Sequence, residues 1–162
     1  YNVPLNYLDG VSARWRMPIG EGVMSVEGTA GIAREDLPHY DFSGSKGAKG
    51  SIDYQIGAWQ FRYLHARAKL AHENDTLTPL RQGLSMTPAG RLADKLKVEG
   101  TTGTYESLGI GYDNGDWQLQ MVFDAMRYEN PTLPNGSAFH CLVGRRIGNV
   151  TPYVVRPEQL PS

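Results

Sequence analysis

The sequence predicts an all-β fold, an antiparallel up-and-down transmembrane β-barrel, and three observations predict it. Apolar and polar residues alternate with a period of two over most of the chain. The alternating segments run to about 8–13 residues, close to what a tilted strand needs to cross a bilayer. They are joined alternately by tight turns and by long polar loops, the asymmetry that outer-membrane barrels display.

The segments follow one another in order. Gly10–Pro18 sets Val11, Ala13, Trp15 and Met17 against Ser12, Arg14 and Arg16. Gly22–Arg34 sets Met24, Val26, Ala30 and Ile32 against Ser25, Glu27 and Thr29. Ala48–Ile56 sets Ile52, Tyr54 and Ile56 against Ser51, Asp53 and Gln55. Trp59–His72 opens with Trp59, Phe61 and Tyr63 opposite Gln60 and Arg62. Beyond Tyr63 the parity shifts, because Ala66, Ala68 and Leu70 fall with Arg62; a bulge or an extension past the membrane is expected there. Thr101–Tyr112 ends with Leu108, Ile110 and Tyr112 on one side. Asp116–Tyr128 alternates most cleanly, Trp117, Leu119, Met121 and Phe123 against Gln118, Gln120 and Asp124. Ala138–Ile147 and Val150–Arg156 complete a set of about eight strands, treated as one barrel domain over 1–162.

Tight turns are expected at Gly20-Glu21-Gly22, Gly57-Ala58, Asp113-Asn114-Gly115 and Gly148-Asn149, all rich in residues that tolerate positive φ. Long loops are expected at about 34–47, 73–100 and 129–136. Within the longest, Leu92 and Leu96 stand four apart after Pro88, so a short helix is expected over Pro88–Lys97.

Composition narrows the function classes. The 162 residues carry a net charge of −1, with 20% charged residues of both signs scattered along the chain, which excludes a basic arm and gives no sign of a nucleic-acid partner. Glycine (19) and tyrosine (9) are abundant and cysteine is single, which excludes a disulfide scaffold. No stretch approaches the roughly 20 apolar residues of a membrane helix. The mean hydropathy of −0.42 still suits barrel strands, whose lumen-facing residues are polar. The chain starts at Tyr1 without a signal-like segment, so a processed product or a fragment is expected.

The polar parity carries the functional argument. With the apolar parity toward lipid, Arg14, Arg16, Glu27, Asp53, Arg62, Gln118, Gln120 and Asp124 line the interior. Charges inside a dry core would need costly pairing, whereas in a water-filled pore they stay hydrated and set the field felt by a solute. Trp59, Tyr112, Trp117 and Tyr153 lie near the tight turns, where amphipathic rings form an aromatic girdle at headgroup level. The competing account is a soluble sheet whose polar parity meets bulk water and whose aromatics cap an ordinary core. Alternation alone leaves both open.

Catalytic and metal chemistry find little support. Gly44-Ser45-Lys46-Gly47-Ala48-Lys49-Gly50 lacks the spacing of a phosphate-binding loop and no helix follows it. His140 and Cys141 are neighbours on a strand and point to opposite faces, so they form no nucleophile–base pair. His39, His65, His72 and His140 show no ligand spacing around Cys141. No catalytic residue, metal site or cofactor is assigned.

Three stretches carry a family resemblance: Asp9-Gly-Val-Ser-Ala-Arg-Trp-Arg16 with Pro18-Ile-Gly-Glu-Gly22, then Leu108-Gly-Ile-Gly-Tyr-Asp-Asn-Gly-Asp-Trp-Gln-Leu-Gln120, then Leu142-Val-Gly-Arg-Arg-Ile-Gly-Asn-Val-Thr-Pro-Tyr-Val154. In these the chain resembles the general Gram-negative porin superfamily. The resemblance implies a water-filled pore in the bacterial outer membrane for passive diffusion of small hydrophilic solutes or ions, commonly in a barrel of about 16 strands. Its implied partners are outer-membrane lipid and the passing solutes, with a homotrimer as one assembly open to it. The chain departs from the family in its strand number and in lacking a C-terminal aromatic strand, so it is either an internal portion of a larger barrel or a small barrel closed by itself. The alternative function is a soluble eight-stranded barrel binding a small apolar ligand. A barrel lipase or protease would need a convergent nucleophile and base, and none is evident.

Overall fold

The computed structural model describes residues 8–33, 36–37, 40–41, 44–71, 77–87, 97–148 and 151–160, with 36, 37, 40, 41, 77, 80 and 157–160 described in backbone only. Among the described residues ten strands and one helix follow in chain order: β1 (Leu8–Ile19), β2 (Gly22–Ala33), β3 (Asp36–Leu37), β4 (Tyr40–Asp41), β5 (Lys46–Ile56), β6 (Trp59–Lys69), α1 (Leu77–Ser85), β7 (Thr102–Asp113), β8 (Trp117–Tyr128), β9 (Gly136–Arg145) and β10 (Tyr153–Leu160). Eight of the strands form one antiparallel up-and-down sheet in the order β1-β2-β5-β6-β7-β8-β9-β10, and β3 and β4 make a separate small hairpin. Each long strand makes its extensive contacts with its neighbours in this order. Among the described residues the sheet is open, with β1 and β10 as its edges.

The tight turns lie where glycine places them. Gly20 and Gly57 hold φ of 59° and 54° inside two-residue loops flanked by the pairs Ile19–Gly22 and Ile56–Trp59. A side chain at either would strain that left-handed backbone. At the β7–β8 turn the Asn114 side-chain oxygen accepts hydrogen bonds from the backbone N–H groups of Asp116 (3.1 Å) and Trp117 (2.8 Å). The three longer connections all emerge at the opposite end of the sheet.

Several expectations change at this level. β6 pairs residue by residue from Trp59 to Lys69 with both β5 and β7, so no bulge interrupts it. The parity shift marks instead the point where the apolar rows stop and the strand continues. Helix α1 lies inside a stretch expected to be loop up to Pro88; the helix expected over Pro88–Lys97 falls almost wholly outside the described residues. The β9–β10 ladder begins at Gly144–Tyr153, leaving 146–152 as a longer connection, although the register is the one a two-residue turn at 148–149 would set.

The packed core is small and sits at the long-loop end. Ala33, Leu70, Val98 and Leu133 are buried together, with Leu8 and Tyr128 packed against them. Their backbone is stitched by bonds from Gly100 N–H to the Leu70 carbonyl (2.9 Å) and from Leu70 N–H to the Thr101 carbonyl (3.0 Å). The buried Ser45 hydroxyl accepts from Ala71 N–H at 3.0 Å and so ties the base of one long connection to the next. This cluster organises loops; it does not cover the sheet.

Candidate functional site

Register decides which side chains share a face, because antiparallel partners project to the same side and successive residues to opposite sides. One row runs Trp15–Val26–Ile52–Tyr63–Leu108–Phe123–Phe139 across seven strands, and the next runs Met17–Met24–Tyr54–Phe61–Ile110–Met121–Cys141. The apolar parities of all the segments from β1 to β9 therefore fall on one side. These residues are not packed away: Val11 is 78% exposed, Trp15 66%, Leu108 54% and Phe123 42%. An exposed apolar surface spanning this many strands is far beyond the scattered apolar residues of an ordinary surface.

The other side is polar, and all eight residues expected to line an interior share it. Arg14 forms an ion pair with Glu27, its register partner, through both Nε and Nη2. Arg16 donates to the Ser25 hydroxyl at 3.2 Å, and Arg62 is ion-paired with its partner Asp53. The Tyr105 hydroxyl donates to Asp124 at 2.6 Å, and the Gln118 amide donates to Asp113 at 2.9 Å. The arginines remain more than half exposed in the Arg14–Glu27 and Arg62–Asp53 pairs, so these contacts orient side chains and contribute only about 0.2–1 kcal/mol each.

A concavity of about 790 Å³ opens over β5 to β10, and most of the residues that line it belong to the polar parity. Arg62, Gln118, Gln120 and Asp124 line it, whereas Arg14, Arg16, Glu27 and Asp53 stand on the same face outside it. Gln55, Gln60, Tyr105, Ser107 and His140 also line it. Sequence reasoning set Gln55 and Gln60 on the polar parity but named none of these five as lining, though their parity with Arg62, Asp124 and Gln118 was legible. Gly109 and Gly111 face Arg62 and Gln60 and leave the floor without side chains there.

The aromatic residues divide. Trp59 and Tyr112 are register partners on the apolar side with ring centroids 4.7 Å apart, and the Arg145 guanidinium sits 5.3 Å from the Trp117 ring centroid on the same side. Tyr153 pairs with Gly144, which pairs with Gln118, so Tyr153 stands on the polar side and does not join the other three. Counting outward from Gly148-Asn149 leads to the same pairing; nearness to the turn was the misleading cue.

Among the described residues no group of His, Cys, Asp and Glu could hold a metal ion. Cys141 is free and half-buried on the apolar parity, with His140 on the other face. Among the described residues no helix is long and apolar enough to cross a membrane, which says nothing about strands that cross as a barrel. Comparisons with protein-family models, curated proteins and solved structures find no match to this chain.

Proposed function

We propose that this chain forms part of an outer-membrane β-barrel of the porin type, whose polar side lines a water-filled passage for small hydrophilic solutes or ions. One observation carries the proposal: the sheet hollows on its polar side, while the apolar rows stand exposed on the other. Curvature with polar residues inward and apolar residues outward is the arrangement that lipid outside and water inside favour. Spanning the membrane also requires the edges to be satisfied, so β1 and β10 are paired in the working barrel, with each other or with further strands. Eight strands alone enclose a lumen that side chains fill, and a larger closed barrel leaves an aqueous channel.

A soluble barrel binding an apolar ligand requires the opposite curvature, with Trp117, Leu119, Met121 and Phe123 turned inward. The glutamine-lined hollow argues against it.

The test is reconstitution into a planar bilayer of the intact, larger closed barrel that contains this chain. Discrete conductance steps are expected, and replacement of Arg62 by Glu shifts the reversal potential toward cation preference. Absence of any steps from protein that has inserted overturns the pore reading.

A further inference from the structure

At the long-loop end the apolar side changes character: Asp9 stands on it at β1, and over β5, β6 and β8 its new residues are basic. Lys46 of β5 and Lys69 of β6 are direct register partners, so their side chains project together from one side. That side is the apolar one, because Ile52 and Tyr63 pair an even number of residues further along the same strands. One row nearer the apolar rows, Arg67 and Arg127 flank Thr104. All four are exposed. Arg67 bonds Glu129 at 3.0 Å, whereas Lys46, Lys69 and Arg127 have no carboxylate partner among the described residues. The next row down holds Glu106, already engaged by Tyr63 (3.2 Å) and His65 (3.5 Å).

Two lysines directly opposite one another in a sheet repel, and the arrangement is unfavourable unless something negative sits between them. The polar side of the same sheet shows what pairing is available, since Arg14 on β1 and Arg62 on β6 each have a carboxylate across from them. The basic cluster lies instead on the side of the exposed apolar rows and just beyond their end. In a membrane that is the level of the headgroups, and lysine's flexible apolar stem lets its charge bend toward them.

We infer that Lys46, Lys69, Arg67 and Arg127 form a docking surface for anionic lipid headgroups that carry a phosphate monoester, in the leaflet at the long-loop end. The inference rests on the reading that the apolar side meets lipid, and it adds the chemistry of the lipid that side prefers. A phosphate monoester offers the charge and the acceptor oxygens to lie between two ammonium groups and to reach a neighbouring guanidinium.

The experiment measures binding of the full chain to vesicles of phosphatidylcholine alone and of phosphatidylcholine containing phosphatidate, at low salt. Trp15, Trp59 and Trp117 stand on the apolar side and report binding by fluorescence. Phosphatidate is expected to tighten binding, and the Lys46→Gln/Lys69→Gln double variant to lose roughly thirtyfold of that gain, at about one kcal/mol for each lysine near the surface. Lys49→Gln, on β5 but on the polar side, is expected to retain the gain. Equal binding to both vesicle types, or a gain unchanged in the double variant, overturns the headgroup surface while leaving the apolar-side reading intact. Binding to neither vesicle overturns the apolar-side reading and the headgroup surface with it.

Discussion

Gly10 on β1 faces Gly31 on β2 as a direct register pair, and neither position has room for a Cβ. A methyl group at Gly10 would fall on the Ala30 carbonyl oxygen, and one at Gly31 on that of Asp9. Backbone does not move aside as a flexible side chain does. Gly31→Ala is therefore expected to destabilise the β1–β2 pairing by about 1–3 kcal/mol. Gly28, three residues earlier, has open space where a methyl group would stand, with no atom within 4 Å, and Gly28→Ala is expected to be neutral or to stabilise by about 0.4–1 kcal/mol. Denaturant unfolding of both variants checks the contrast, and equal effects would refute it.

Asn114 holds the β7–β8 turn through two backbone bonds to one side-chain oxygen. Asn114→Ala removes both and is expected to lower stability by about 1–2 kcal/mol. Faster amide hydrogen exchange at Asp116 and Trp117 should accompany the loss. Unchanged exchange there would mean that Gly115, at φ 93°, sets the turn without help.

The buried Leu70 joins loop residues Val98 and Leu133 to the strand ends. Truncation to alanine should cost about 2–5 kcal/mol in that local cluster. Because Gly100 N–H bonds the Leu70 carbonyl, its exchange protection should fall while that of the β7–β8 turn is kept. Loss of protection across the whole sheet would instead make this cluster the core of the fold.

Phe123 and Gln120 are close in sequence on β8 and lie on opposite sides of it. Under the proposed function, Phe123→Lys places a charge in lipid at an expected cost of about 2–4 kcal/mol near the bilayer midplane. Gln120→Lys places the same charge against water and should cost little. Yields of folding into phosphatidylcholine vesicles separate the two. Equal yields from both variants would mean that Phe123 does not face lipid.

Much of the strand set was legible because a strand's faces are written in consecutive residues. Trp117 to Phe123 could be sorted from Gln118 to Asp124 without any partner strand, and the glycines of Gly20-Glu21 and Gly57-Ala58 marked where the chain reverses. Helix α1 was not legible: its nine residues include Pro79, which punctuates a sequence, yet that residue stands in the first turn, where a missing N–H breaks no intrahelical bond. The face of Tyr153 was legible and was missed by weighing position over parity.

By itself the sequence determined local things, namely alternation, the places of the tight turns and the asymmetry between short and long connections. Only the tertiary structure decided that the hollow lies on the polar side, that Gln55, Gln60 and His140 join Arg62 there, and that Lys46 meets Lys69. Nor could any local pattern announce that Ala33, Leu70, Val98 and Leu133 share one dry cluster. The physical reason is that alternation within a strand depends on neighbouring φ and ψ, while curvature, register and loop packing depend on contacts between residues far apart in the chain.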